Sequence, residues 1–221
     1  MFLTIIPARG GSKGIPKKNL QKINGKTLIE RAIISAQQIS DNRIVVSSDS
    51  TEILEYASAY NVEGLLRSDL NSTDSATSES VILEVLSNIS SKSEIITLLQ
   101  PTSPFVDVKS WSDSLSYMRK NESTHSMFSA IEKNEFIWKF ENFWAPVGHD
   151  KNIRPPRQTQ GQKVVETGSF YIFRKKFFEK EKTRFCGLTQ PVLTQIWSSF
   201  DVDSQSDIDF CNKIAHIVDS L

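Results

Sequence analysis

The chain has 221 residues, and its 26 Lys and Arg balance its 26 Asp and Glu, so a general nucleic-acid binder, which carries a basic excess, is excluded. Hydrophobic residues at 38% and charged residues at 24% describe a globular chain, neither disordered nor fibrous, and long enough to bury a core without staples. Two cysteines, Cys186 and Cys211, exclude a disulfide scaffold and a Cys-rich zinc site and are expected as free thiols in a reducing cytosol.

The opening run Phe2 to Ile6 is β-branched and apolar and breaks at Pro7, which predicts a buried strand. It has no basic region ahead of it and is too short for a signal peptide or a membrane span. The expectation is a cytoplasmic protein without a membrane partner. A Gly- and Lys-rich loop follows, then a helix with Leu28, Ile29, Ala32, Ile33 and Ala36 at helical spacing. Arg43 to Ser48 predicts a second strand, Thr51 to Tyr60 a short helix and Val62 to Leu66 a third strand. Asp74 to Ile89 predicts a helix, Glu94 to Leu99 a fourth buried strand, Val108 to Met118 a helix and His125 to Ile131 a strand. The pattern lapses from about Lys133 to Lys163, a stretch with Trp138 and Trp144 that reads as an inserted arm with a partner surface. Ser169 to Phe173 predicts a late strand, Phe200 to Asp203 another strand end, and Ser206 to Leu221 the closing helix.

Continuous apolar strands alternating with helices imply an α/β fold, a Rossmann-like and mostly parallel sheet with helices on both faces. The whole of 1–221 reads as one domain, with the arm at about 133–165 inserted in it. Ligands in such sheets bind beyond the carboxyl ends of the strands, so the loops after the first, second and fourth strands are the expected site.

The first of these loops reads Arg9-Gly10-Gly11-Ser12-Lys13-Gly14. Glycines let a backbone approach an anion with its N–H groups turned inward, and Arg9, Lys13 and Lys18 add three cations. Neither the Walker A spacing nor the dinucleotide fingerprint fits it, and a solvated glycine turn is the plain alternative. Asp201 and Asp203 stand two apart. On a strand they would share one face, suiting Mg²⁺, although such acids also serve as helix caps. Gln100 ends the fourth strand before Pro101 and Pro104, which would present its amide rigidly or make an ordinary turn. Arg154 and Arg157 in the arm suit a carboxylate or phosphate, or plain solvent. His125, His149 and His216 show no metal or catalytic spacing.

Taken in order, these segments resemble the N-acylneuraminate cytidylyltransferases, which activate sialic-acid-type sugars. The residues that carry the resemblance are IIPARGGSKGIPKKNL, VSSDS, LLQPTSPF, PRQ with ETGSFYIF, and FDVD, and they span most of the chain. The resemblance implies transfer of CMP from CTP to an N-acylneuraminate, with Mg²⁺ as cofactor and pyrophosphate as leaving group. It also implies roles at matched positions. Arg9, Gly10, Gly11, Ser12, Lys13, Lys18 and Asn19 fall on the nucleotide's phosphates and ribose, and Arg67 and Ser78 near the cytidine. Gln100, Lys139, Arg157 and Tyr171 fall on the sugar side, and Asp201 and Asp203 on the metal. Arg9, Lys13 and Asp203 form the implied catalytic set. The family's arm crosses to a second subunit, which implies a homodimer with Arg157 acting in trans. Two positions depart from many relatives: Phe105-Val106 replaces a Leu-Arg pair, and Thr167-Gly168 replaces Asn-Gly. Both lie on the sugar side, so legionaminic or pseudaminic acid stands beside N-acetylneuraminic acid as the acceptor. A nucleotidyltransferase using GTP or UTP, and a non-enzymatic nucleotide-binding regulator, are the rival readings.

Overall fold

The computed structural model describes residues 1–12, 14–73, 75–159 and 161–221, the side chain of Arg157 excepted. The chain runs β1 (Phe2–Pro7), a 3-10 turn (Lys18–Leu20), β2 (Lys22–Ile23), β3 (Lys26–Thr27), α1 (Leu28–Gln37), β4 (Asn42–Ser48), α2 (Thr51–Ala59) and β5 (Glu63–Leu66). It continues α3 (Ser78–Asn88), β6 (Ile95–Leu99), α4 (Val108–Lys120), β7 (Ser126–Glu132), β8 (Ile137–Phe140) and β9 (Trp144–Val147). The last elements are β10 (Val164–Arg174), α5 (Lys175–Glu181), β11 (Thr189–Leu193) and α6 (Gln205–Val218).

Among the described residues seven strands form one sheet in the order β11-β7-β10-β6-β1-β4-β5. β1 pairs in parallel with β4 and with β6, β4 with β5, and β11 with β7, whereas β10 is antiparallel to both its neighbours. The expected mostly parallel sheet is therefore present. Side-chain alternation along β1 shows why it is covered twice. Phe2 and Ile6 join one apolar cluster with Ile29, Ile33, Ile53, Trp111 and Leu115, from α1, α2 and α4. Leu3 and Ile5 join another with Ile82, Val85 and Phe178, from α3 and α5. A strand buried on both faces must be apolar at successive positions, as this one is.

Local chemistry starts the helices. Thr27 and Glu30 form a capping box at α1, with the Thr27 hydroxyl accepting the Glu30 N–H and the Glu30 carboxylate accepting the Thr27 N–H. Ser204 and Asp207 repeat the device at α6. The expected helix start at Asp74 lies outside the described residues; α3 begins at Ser78, where Thr77 caps it by accepting the Ser80 N–H. Two further expectations change. Residues 200–203 are not a strand; they follow a 3-10 turn (Ile196–Ser199) and lead directly into α6. The late strand β10 begins at Val164 rather than Ser169, and within the arm region β8 and β9 form an antiparallel hairpin separate from the main sheet.

The chain leaves β1 toward β4 and β5 on one side, then returns to β6 on the other. The strand order thus reverses beside β1, and the loops there splay apart to leave a crevice.

Candidate active site

That crevice is a cleft of about 270 Å³, lined from three loops. Arg9, Ser12, Lys18 and Asn19 come from the loop after β1. Arg67, Asn71, Thr73, Thr77 and Ser78 come from the segment after β5 and the start of α3. Gln100, Pro101 and Thr102 come from the loop after β6. Seven of the sequence-selected residues, Arg9, Ser12, Lys18, Asn19, Arg67, Ser78 and Gln100, therefore converge although up to 91 positions separate them.

The loop after β1 is held from β4. The Gly10 N–H donates to Asp49 Oδ1 at 2.7 Å, and a Cβ on Gly10 would sit 2.7 Å from Ser50 Cβ. Gly14 is equally confined, since a Cβ there would lie 2.9 Å from the Asp203 carbonyl oxygen. These two glycines are needed for close approach. Gly11 faces open space. Lys13 lies outside the described residues. Lys17 adopts a left-handed backbone with φ of 49° and pairs with Glu52 at 2.6 Å, and the chain turns there into Lys18. The Asn19 amide donates to the Arg9 carbonyl at 2.9 Å, while its buried Oδ1 has no partner among the described residues. An unpaired acceptor at a cleft wall suits a ligand hydroxyl.

Arg67 is buried and fixed by three bonds. It donates to Ser47 Oγ at 3.2 Å, to the Ser47 carbonyl at 2.7 Å and to the Asn71 carbonyl at 3.4 Å. Burial pulls its pKa below the ordinary guanidinium value, the Asp49 and Glu84 charges resist that, and the neighbouring Arg9 charge adds to it. Two guanidiniums that repel each other across a cleft favour an anion between them. Glu84 accepts the Ser68 N–H and the Asn71 amide, both at 2.7 Å, and so shapes the Arg67–Thr77 wall.

Asp201 and Asp203 flank Val202, which is fully buried among Ile15, Phe105 and Ile208. The Val202 N–H donates to the Thr102 carbonyl at 2.9 Å, tying both acids to the loop after β6. The cap alternative for Asp203 is set aside, because Ser204 and Asp207 cap α6. The Asp203 carboxylate instead accepts from Lys18 Nζ at 2.9 Å. Asp201 keeps solvent contact but sits where surrounding protein displaces much of its water. That desolvation, joined by the Asp203 charge, holds its pKa above the usual value against the Thr102 hydroxyl and Lys18. Two carboxylates with excess negative charge are a fitting donor set for a hard divalent cation. Among the described residues no three of His, Cys, Asp and Glu gather to hold a metal, so a cation here would draw its remaining ligands from phosphate and water.

Gln100 is framed by β10. Its N–H donates to the Ser169 carbonyl at 3.0 Å, and Gly168, with φ of 76°, leaves room beside its Oε1. A bulge between Glu166 and Tyr171 produces this frame, pinned by Thr167 Oγ1 donating to Ser129 Oγ at 2.7 Å. Tyr171 lies beside the cleft rather than in its lining. It is buried, its hydroxyl donates to Glu166 at 3.1 Å, and burial together with the Glu166 charge pushes its pKa up to about 12. Lys139 is on β8, exposed and paired with Glu141 at 2.7 Å, apart from the cleft lining. Arg157 is in a 3-10 turn (Arg157–Thr159), and its side chain is outside the described set. Asp49, Asn71, Thr73, Thr77 and Thr102 were not singled out from sequence. The positions of Asp49 and Thr102 just beyond the carboxyl ends of predicted strands are the signal that could have flagged them.

A family model described as cytidylyltransferase matches residues 3–215. Among curated proteins, the N-acylneuraminate cytidylyltransferase of Streptococcus agalactiae serotype V is 32% identical over 225 residues, covering 97% of this chain and 53% of that protein. N-acylneuraminate cytidylyltransferase A of Danio rerio is 31% identical over 215 residues, covering 93% and 48%. The chain thus spans about half the length of the curated relatives it matches. A solved CMP:2-keto-3-deoxy-manno-octonic acid synthetase complexed with CTP superposes with a TM-score of 0.75 at 16% identity, covering 100% of this chain and 99% of that one. The 4-diphosphocytidyl-2C-methyl-D-erythritol synthase of Anaerococcus prevotii superposes at 0.70 with 16% identity, covering 97% and 96%. These two structures share the fold.

Proposed function

The chain belongs to the cytidylyltransferase family, and from that premise we propose that it transfers CMP from CTP to N-acetylneuraminic acid or a related nonulosonic acid. The observation that carries this reading is the cleft at the β1–β6 reversal. It joins Arg9 and Ser12 of the basic Gly-rich loop, Arg67 and the Asn19 acceptor to Lys18, whose Nζ reaches out of the lining to Asp203, one of the two neighbouring carboxylates.

In the reaction the acceptor's anomeric hydroxyl attacks the α-phosphorus and releases its proton to solvent, a new P–O bond forms, and the bond to the bridging oxygen breaks to release pyrophosphate. Such transfers depend on positioning and charge neutralisation more than on covalent chemistry. Arg9, Lys13 and Lys18 hold the phosphates with the loop's backbone N–H groups. Arg67 and Ser78 border the nucleoside, and Asn19 Oδ1 accepts a ribose hydroxyl. Gln100 presents its amide to the sugar. Mg²⁺, held by Asp201 and Asp203, would lower the phosphate charge that the nucleophile meets. Asp203 Oδ1 and Lys18 exchange partners as phosphate enters, the lysine turning from carboxylate to phosphate.

Lys139, Arg157 and the exposed Trp138 and Trp144 belong to an arm that we assign to a homodimer interface, with Arg157 acting in trans. Among the described residues no helix is long and apolar enough to cross a membrane. The buried free thiols Cys186 and Cys211 support a cytoplasmic location.

The test is pyrophosphate release with CTP and Mg²⁺ across N-acetylneuraminic, legionaminic and pseudaminic acids and 2-keto-3-deoxy-octonate. Release with one nonulosonic acid upholds the reading and names the acceptor. CTP binding with no release on any of the four moves the chain to the nucleotide-binding regulator or to an acceptor outside the four. Preference for GTP or UTP moves it to another nucleotidyltransferase class.

A further inference from the structure

Arg184 lies in the turn between α5 and β11 and touches one residue at the start of α3 and one on β10. Its Nε donates to Glu79 Oε1 at 2.7 Å and its Nη2 to Glu79 Oε2 at 3.2 Å, a two-pronged pair that is largely shielded from water. The same guanidinium stands 4.7 Å from the centre of the Tyr171 ring. Glu79 is the second residue of α3 and directly follows Ser78, which lines the cleft. Tyr171 faces Leu98 across the β10–β6 pairing, two positions before Gln100, and its hydroxyl is held by Glu166. Phe185 meets the Tyr171 ring edge-on at 5.6 Å. Tyr171 is therefore held at its hydroxyl by Glu166, at its face by Arg184 and by a T-shaped contact with Phe185.

We propose that the Glu79–Arg184 pair is a positioning strut that couples the nucleotide wall of the cleft, at the amino end of α3, to Tyr171 on the acceptor side. The strut rests on the cytidylyltransferase reading above. Arg184 touches neither substrate. It acts through Tyr171, and Glu79 fixes where Arg184 stands. A planar guanidinium is suited to this, since its fork engages the carboxylate while its face lies on the ring. A nucleotide that shifts the start of α3 then shifts Tyr171.

Removing one partner of a shielded ion pair strands the other charge, so single variants also strain the fold. Glu79→Gln/Arg184→Met leaves neither charge and is the fold control. Arg184→Met and Glu79→Gln are each expected to raise the acceptor KM roughly tenfold, while CTP affinity measured without acceptor stays within about twofold. The double variant is expected to be no worse than either single one, as residues acting as a unit behave. Arg184→Lys, which keeps the charge without the fork, is expected to recover part of the loss. A second readout needs no turnover. With ring-labelled tyrosine, assigned through Tyr171→Phe, CTP alone is expected to shift the Tyr171 resonance in the unsubstituted chain and not in Arg184→Met. An unchanged acceptor KM overturns the proposal. So does an equal loss of CTP and acceptor binding that tracks a lowered melting temperature and is cured in the double variant, the mark of a merely structural pair. A CTP-dependent Tyr171 shift that Arg184→Met abolishes, in a chain with no turnover, upholds the strut and overturns the acceptor assignment. No CTP binding by the unsubstituted chain overturns the functional reading and the strut together.

Discussion

Val202 decides where two carboxylates point. Burying its side chain is worth about 2 kcal/mol, and with its N–H held by Thr102 it leaves Asp201 and Asp203 facing outward. Asp203→Ala is expected to keep the fold and melting temperature, because Ser204 and Asp207 supply the cap, while turnover falls by orders of magnitude. Near-normal pyrophosphate release from that variant would remove Asp203 from the machinery. Asp201 makes an opposite prediction for stability. Its folded pKa is raised, so its ionised form is disfavoured in the fold, and the cost is present above that pKa and vanishes below the unfolded value of roughly 4. Asp201→Asn is expected to raise the melting temperature at pH 7 and to lose that advantage in acid. Mg²⁺ is expected to stabilise the unsubstituted chain and not Asp201→Asn, which calorimetry with and without the ion measures directly. Equal Mg²⁺ effects on both would remove the cation from this pair.

At the scale of elements, the loop after β1 works because glycine permits contacts that no side chain could share. Gly10→Ala would drive a methyl group into Ser50 and strain the bond from the Gly10 N–H to Asp49. The expected outcome is a CTP KM raised about tenfold or more with little change in the acceptor KM. A variant with unchanged CTP kinetics would show that this loop is not the phosphate cradle. The β10 bulge serves the other wall. Thr167 reaches Ser129 inside the sheet, and Gly168 takes the left-handed turn beside Gln100. Much of this level was legible from sequence: the strands β1, β4 and β6 and helices α1, α2 and α4 fall near their predicted places because their periodicity reports burial. β10's direction was not legible, since alternation is the same for parallel and antiparallel pairing. β11 was missed because Pro191 and its exposed flanks give an edge strand little apolar signal.

At the scale of the molecule, the β8–β9 hairpin presents Ile137, Phe140, Phe143 and Trp144 to solvent, with Trp144 65% exposed. An apolar face of that kind suits a protein surface. Trp138→Ser/Trp144→Ser is expected to convert a homodimer to monomers in light scattering without lowering the melting temperature of the main sheet. A chain that is monomeric before substitution would end the dimer assignment.

By itself the sequence determined the fold class, the Gly-rich loop at the end of β1 and the identity of the paired acids, because each is a local pattern of residue type and spacing. Only the tertiary structure decided which residues share the cleft. Arg67, Ser78 and Gln100 meet Arg9 and Asn19 because the strand order reverses beside β1 and brings distant loops to one end of the sheet. It also decided that Lys18 faces Asp203, that Asp49 holds Gly10, and that Arg184 links Glu79 to Tyr171. Those contacts depend on chain crossings and side-chain directions, which spacing along a sequence does not encode.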